Sequence, residues 1–162
     1  MDIRERIITE AFTLFIKFGI RSVTMDQIAF ELGISKRTLY ENFVDKTTLL
    51  SEGIEHFRKN KHAEALDILK KCDNVIESLY FIGRHGELLR KKVNPLFYED
   101  IRKLYPEIHL KISDKSFNRD YPLMETMFRK GISEGVFKKE LNPLLMADFW
   151  NQVMNIIMNE EI

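Results

Sequence analysis

The stretch "GISKRTLYENF", residues 33 to 43, holds the side chains with the most obvious chemistry to offer. Lys36 and Arg37 follow directly on Ser35, a residue type that opens helices by accepting a backbone N–H. They therefore occupy a first helical turn, where the helix dipole disfavours cations, and an external polyanion would remove that penalty. Turned at about 100° per residue, Leu39 and Phe43 point to a core, Arg37, Thr38 and Glu41 point away, and Tyr40 lies on one flank. An outward guanidinium can bond a guanine bidentately, worth roughly 1–3 kcal/mol of discrimination, and makes Arg37 the best candidate for a base contact. Lys36 is suited to a phosphate. Glu41 fits less well, because a carboxylate facing DNA is repelled unless it accepts from a cytosine amino group. A solvated rim is its simpler reading.

Positioning these side chains requires a helix before and a helix after, and both are announced. Ile3, Ile7, Ala11, Leu14, Phe15 and Phe18 recur at three- and four-residue steps, which predicts a first helix ended by Gly19. Three starts follow in quick succession. Thr24 caps a helix from Met25 to Leu32, with Gln27 completing a capping box and Val23 with Ile28 as the staple. Ser35 caps the helix from Lys36, with Ile34 and Leu39 as staple, and Asp45 caps a third from Lys46, with Val44 and Leu49 as staple. Only Gly33, Ile34 and Ser35 separate the first two of these helices. Such a turn sets two helices at a steep angle, and Ala29 lets them approach. This is the helix-turn-helix layout, which also occurs in protein-binding and purely structural units.

Composition neither supports nor excludes an acidic partner. The chain of 162 residues carries 25 Lys plus Arg against 25 Asp plus Glu, and residues 1–60 carry nine of each. No global field draws it to nucleic acid, so such a role must rest on local geometry. The single cysteine, Cys72, cannot close a disulfide within the chain, and "MDIRERIITEAF" is charged and amphipathic where a secretion signal would be apolar. No apolar run approaches the ~18 residues of a membrane span. A cytoplasmic protein with no membrane partner is expected.

The stretch "TMDQIAFELGISKRTLYENFVDKTTLL" resembles the DNA-binding domain of the TetR family of bacterial transcriptional regulators. The likeness runs from residue 2 to about residue 55 and is carried by Thr24, "IA" ahead of Gly33 and Ile34, "LY" with Phe43, and Lys46 opening a long helix. Farther on, "LYPEI" and "GISEGVFKKELNP" are similar to the family's ligand and dimerisation domain. The resemblance implies an all-α fold: an N-terminal three-helix helix-turn-helix DNA-binding domain over residues 1–46, a connector helix over about 46–71, and a helical ligand-binding and dimerisation domain over 47–162. It further implies that Thr24, Tyr40 and Lys46 hold phosphates, while Ser35, Lys36, Arg37 and Thr38 at the opening of the third helix supply the remaining DNA contacts. A repressor is implied by family habit, acting on a double-stranded DNA operator.

One short helix reads few base pairs, so two are normally needed on a palindrome, with half-sites ~34–36 Å apart or a multiple of that. The run "NPLLMADFWNQVMNIIMNEEI" offers a homodimer surface. Asn142 caps it, Pro143 stands at the first helical position, and its apolar residues cover roughly 220° of the circumference. Met146, Trp150, Met154, Ile157 and Met158 are the expected interface, although a helix buried within one subunit would show the same pattern. The family's interface uses two long final helices, but here the sequence ends at Ile162. Either the partner helix lies earlier, between Pro122 and Glu134, or the chain is cut short. Pro122 should kink or interrupt its own segment. A small-molecule effector would be enclosed by Phe81, His85, Phe97, Tyr98, Tyr105, Phe128 and Trp150, aromatics that equally suit a plain core.

An enzyme is disfavoured. His56, His62, His85 and His109 have no metal-ligand spacing, Cys72 has no cysteine partner, and no phosphate-binding glycine loop occurs, so neither a metal nor a cofactor is expected. The stronger rival is a helical adaptor or antagonist of the same fold that does not bind DNA, which the neutrality of residues 1–60 would suit.

Overall fold

The computed structural model describes residues 2–159, without the side chains of residues 113–121, 151 and 154–159. The expected all-α architecture is what is found: α1 (Ile3–Phe18), α2 (Met25–Leu32), α3 (Lys36–Asn42), α4 (Lys46–Lys71), α5 (Val75–Arg90), α6 (Pro95–Leu104), α7 (Pro106–Ser133) and α8 (Pro143–Asn159). The chain packs into two compact units, Met1–Lys61 with Glu87–Leu110, and His62–Gly86 with Lys111–Ile162. The helix-turn-helix segment expected over residues 1–46 lies wholly within the first.

In the first unit α1 touches both α2 and α6, which explains why its buried stripe is wider than its sequence pattern suggests. Ile7, Ala11 and Phe15 are buried as expected, Ile8 and Phe12 are buried in addition, and Ile3 and Phe18 at the two ends are exposed. Phe12 sits edge-on to Phe97 of α6, with ring centroids 5.7 Å apart, and tilted against Phe57 of α4 at 5.3 Å. A side chain at position 53 would collide with Phe12 at 2.8 Å, so Gly53 is what lets α4 lie close to α1.

The second unit has its own core of Val75, Leu123, Met124, Met127, Phe128 and Ala147, against which Leu69, Phe137 and Trp150 pack. Helix α7 continues unbroken through Pro122, where a kink or an interruption is expected from the sequence. A proline removes one N–H bond and crowds one carbonyl. The remaining bonds of a 28-residue helix carry it past that point, and Thr126 Oγ1 donates to the Pro122 carbonyl at 2.8 Å. The segment between Tyr105 and Glu134 is thus one helix instead of two. After it, Gly135 takes φ +73° and the chain turns back, with Val136 and Phe137 N–H donating to the Gly131 carbonyl. Asn142 then caps α8 as expected, accepting from the N–H groups of Leu144 and Leu145.

Candidate nucleic-acid interface

The three expected helix starts are all made by the expected atoms. Thr24 Oγ1 accepts from Gln27 N–H at 3.2 Å, Ser35 Oγ from Thr38 N–H at 3.0 Å, and Asp45 Oδ1 from Thr48 N–H at 2.7 Å. That last bond holds the Asp45 carboxyl below the usual carboxylate range. Two details differ from expectation. The forward bond of the Thr24 capping box forms, but the return bond from the Gln27 side chain does not. Val44 is 83% exposed, so Leu49 has no staple partner there. The backbone at Phe43 is extended and turns its own ring inward, which leaves the next side chain facing out.

Helix α2 ends in a paired C-terminal lock. Gly33 sits at φ +64° with its N–H on the Phe30 carbonyl, and Ile34 N–H reaches back to Ala29 at 3.0 Å. Nothing lies within 4 Å of where a Gly33 side chain would begin, so the left-handed backbone alone requires glycine. The turn then delivers α3 with Leu39 and Phe43 buried. Arg4 fixes the far end, its guanidinium 4.7 Å from the centre of the Phe43 ring and paired with Glu52 of α4 at 2.6 Å. The Glu52 hydrogen bond raises the Arg4 pKa further.

Seating those two residues determines which others face solvent. The Arg37 side chain is 87% exposed, and Lys36 and Tyr40 stand open beside it. Thr24 and Ser35 are exposed and Thr38 is half-buried, its hydroxyl 2.8 Å from that of Ser35. Lys46 is half-buried with its ammonium 5.9 Å from the centre of the Phe15 ring. Burial lowers its pKa, and the charge of Asp100 partly restores it. Lys36 and Arg37 each contact an acid, Lys36 the Asp26 of α2 and Arg37 the Glu41 one turn on, at 2.8 Å.

Asp100 carries no local signal in the sequence. It is one of two buried polar side chains among the described residues, and its Oδ2 accepts from Arg21 N–H at 2.7 Å. Asn94 assists, donating its backbone N–H to the Ile16 carbonyl at 2.9 Å and its side-chain amide to Lys17. Together they dock α6 on the turn between α1 and α2. The sequence shows only the Asn94–Pro95 helix start, because nothing local marks a partner 79 residues away. Asp100→Ala would remove the carboxylate acceptor of a part-buried hydrogen bond and should cost about 1–3 kcal/mol, whereas Asp100→Asn keeps an acceptor and should lose less. Urea unfolding of the two variants measures the difference.

The other expected site residues divide between the units. Phe97, Tyr98 and Tyr105 belong to the first, and Phe81, His85, Phe128 and Trp150 to the second, so neither unit gathers all seven. Phe97 and Phe128 are buried core residues, and His85 Nε2 lies 2.8 Å from Glu64. On α8, Met146 and Trp150 pack on the core of their own unit, while Leu145 and Phe149 are exposed. Met154, Ile157 and Met158 lie outside the described side chains. Among the described residues, no helix is long and apolar enough to cross a membrane, and no group of three His, Cys, Asp or Glu could hold a metal ion.

The family model of bacterial regulatory proteins, tetR family, matches residues 7–52. HTH-type transcriptional regulators of Staphylococcus aureus are 28% identical over 179 residues, spanning 97% of this chain and 93% of theirs. Among solved structures, a transcriptional regulator from Cytophaga hutchinsonii superposes with a TM-score of 0.81 at 23% identity, covering 95% of this chain and 79% of that one. The TetR-family regulator PfmR from Thermus thermophilus gives 0.64 at 25% identity, over 97% and 86%. A regulator from Saccharomonospora viridis, solved in complex with choline, gives 0.68 at 22% identity, over 98% and 86%. The match over residues 7–52 places the N-terminal helix-turn-helix segment with the tetR family of bacterial regulatory proteins, and the chain as a whole has the fold of TetR-family regulators.

Proposed function

We propose that the protein is a cytoplasmic repressor that binds a palindromic operator as a homodimer and is released by a small-molecule effector. The observation that supports DNA reading is the outward first turn of α3, with Arg37 and Lys36 exposed while Leu39 and Phe43 are anchored beneath. In this reading Thr24, Tyr40 and Lys46 hold phosphates, which fix orientation without reading sequence. Arg37 reads a guanine, and Ser35, Lys36 and Thr38 complete the DNA-facing surface. The homodimer would use the exposed Leu145 and Phe149 of α8, an apolar face that a second copy could cover. An effector acts only through different affinities for the DNA-fitting and non-fitting states.

Selecting bound duplexes from a random pool tests DNA binding and pairing together, since a palindrome should emerge. On that operator, Tyr40→Ala with Lys46→Ala should weaken binding to every sequence alike, and the salt dependence should flatten by about one unit for each phosphate that is no longer neutralised. Arg37→Ala should instead relax preference at one base pair per half-site by roughly 1–3 kcal/mol. No enrichment at low salt, where phosphate binding is strongest, would favour the adaptor reading.

A further inference from the structure

The basic residues of the α3 first turn are already neutralised by carboxylates of the same chain, and the arrangement is not one that helix stability asks for. Arg37 precedes Glu41 by four residues, the weaker order for such a pair, and Glu41 stands in the last turn of α3 where the dipole disfavours an acid. Lys36 donates to Asp26 across the turn between α2 and α3. Both pairs are largely exposed, and such pairs add little to folding. From Thr24 to Lys46 the chain carries three basic and four acidic side chains, so this surface has no net attraction for a generic polyanion.

We propose that Asp26 and Glu41 set the sequence specificity of this regulator by suppressing its binding to non-operator DNA. The inference rests on the DNA-binding reading above. On an arbitrary duplex, Lys36 must exchange Asp26 for a phosphate, which leaves the carboxylate beside a polyanion and makes the exchange nearly neutral. Sliding contacts based on phosphates alone are thereby weakened. Glu41 acts differently, as a positioning residue. It holds Arg37 through Nε, so the terminal nitrogens of the guanidinium can meet guanine O6 and N7 while that contact persists. A matching base returns what the acids subtract. A wrong base does not.

The test uses the full chain as wild type, Asp26→Asn, Glu41→Gln and the double variant, each titrated against the selected operator and a scrambled duplex at several salt concentrations. These exposed, near-isosteric changes should leave the circular dichroism spectrum unaltered. Affinity for scrambled DNA should rise about fivefold per residue at low salt, with a steeper salt dependence, while operator affinity rises less, so the specificity ratio falls. Equal gains on both duplexes, or no gain on either, would overturn the inference. If the wild type binds neither duplex, the DNA-binding reading fails with it, whereas an operator-specific wild type with an unchanged ratio in the variants sinks this inference alone.

Discussion

Phe43→Ala should remove about 3–5 kcal/mol of stability, the range for an aromatic truncated in a close-packed core. Phe43 is 1% exposed, lies in the short link between α3 and α4, and has the Arg4 guanidinium over its ring. Truncation empties the space beneath α3, and α1 and α4 cannot close it without displacing the Arg4–Glu52 pair. Against a typical total of about 5–15 kcal/mol for a folded domain, this is a large fraction. Urea unfolding followed by far-ultraviolet circular dichroism measures it, with Phe43→Leu, which retains most of the volume, as the milder control. A loss below about 1 kcal/mol would contradict the packing described. If the DNA-binding reading holds, operator affinity should fall with stability in this variant, since Arg37 can face a groove only while α3 is anchored.

Met127→Ala should cost about 2–5 kcal/mol in the second unit, for the same reason and with a separate readout. Met127 is fully buried at the centre of the cluster formed by α5, α7 and α8. Trp150, the only tryptophan in the chain, packs against that cluster, so its fluorescence reports the loss directly. Truncation should shift the fluorescence midpoint to lower urea and redden the native emission as water reaches the ring. Met127→Leu, close in volume, should cost less than about 1.5 kcal/mol. An unchanged Trp150 transition in Met127→Ala would mean that the two side chains do not share a core.

How much of the site is legible in the sequence depends on the distance along the chain over which each feature is decided. The caps at Thr24, Ser35, Asp45 and Asn142 are readable because a side-chain oxygen and the N–H it accepts lie within three residues. Gly33 is readable for a similar reason: its left-handed backbone is a property of one residue. The same locality gives the outward direction of Arg37, which follows from helical periodicity once Leu39 and Phe43 are taken as core.

Other features need the fold. That α1 buries Phe12 as well as Phe15 depends on α6 arriving on its second side. Val44 faces solvent because an extended backbone follows α3, although its sequence position matches a staple. Pro122 is carried inside α7 because the bonds on either side outweigh its local cost. Pairing of Lys36 with Asp26 and of Asp100 with Arg21 depends on which helix faces meet. By itself, then, the sequence determined where most helices begin and which residues of α3 look outward, since these are settled by atoms a turn or less apart. Tertiary structure alone decided what holds that helix in place and which carboxylates answer its charges, because both depend on contacts between segments that nothing in their local pattern pairs.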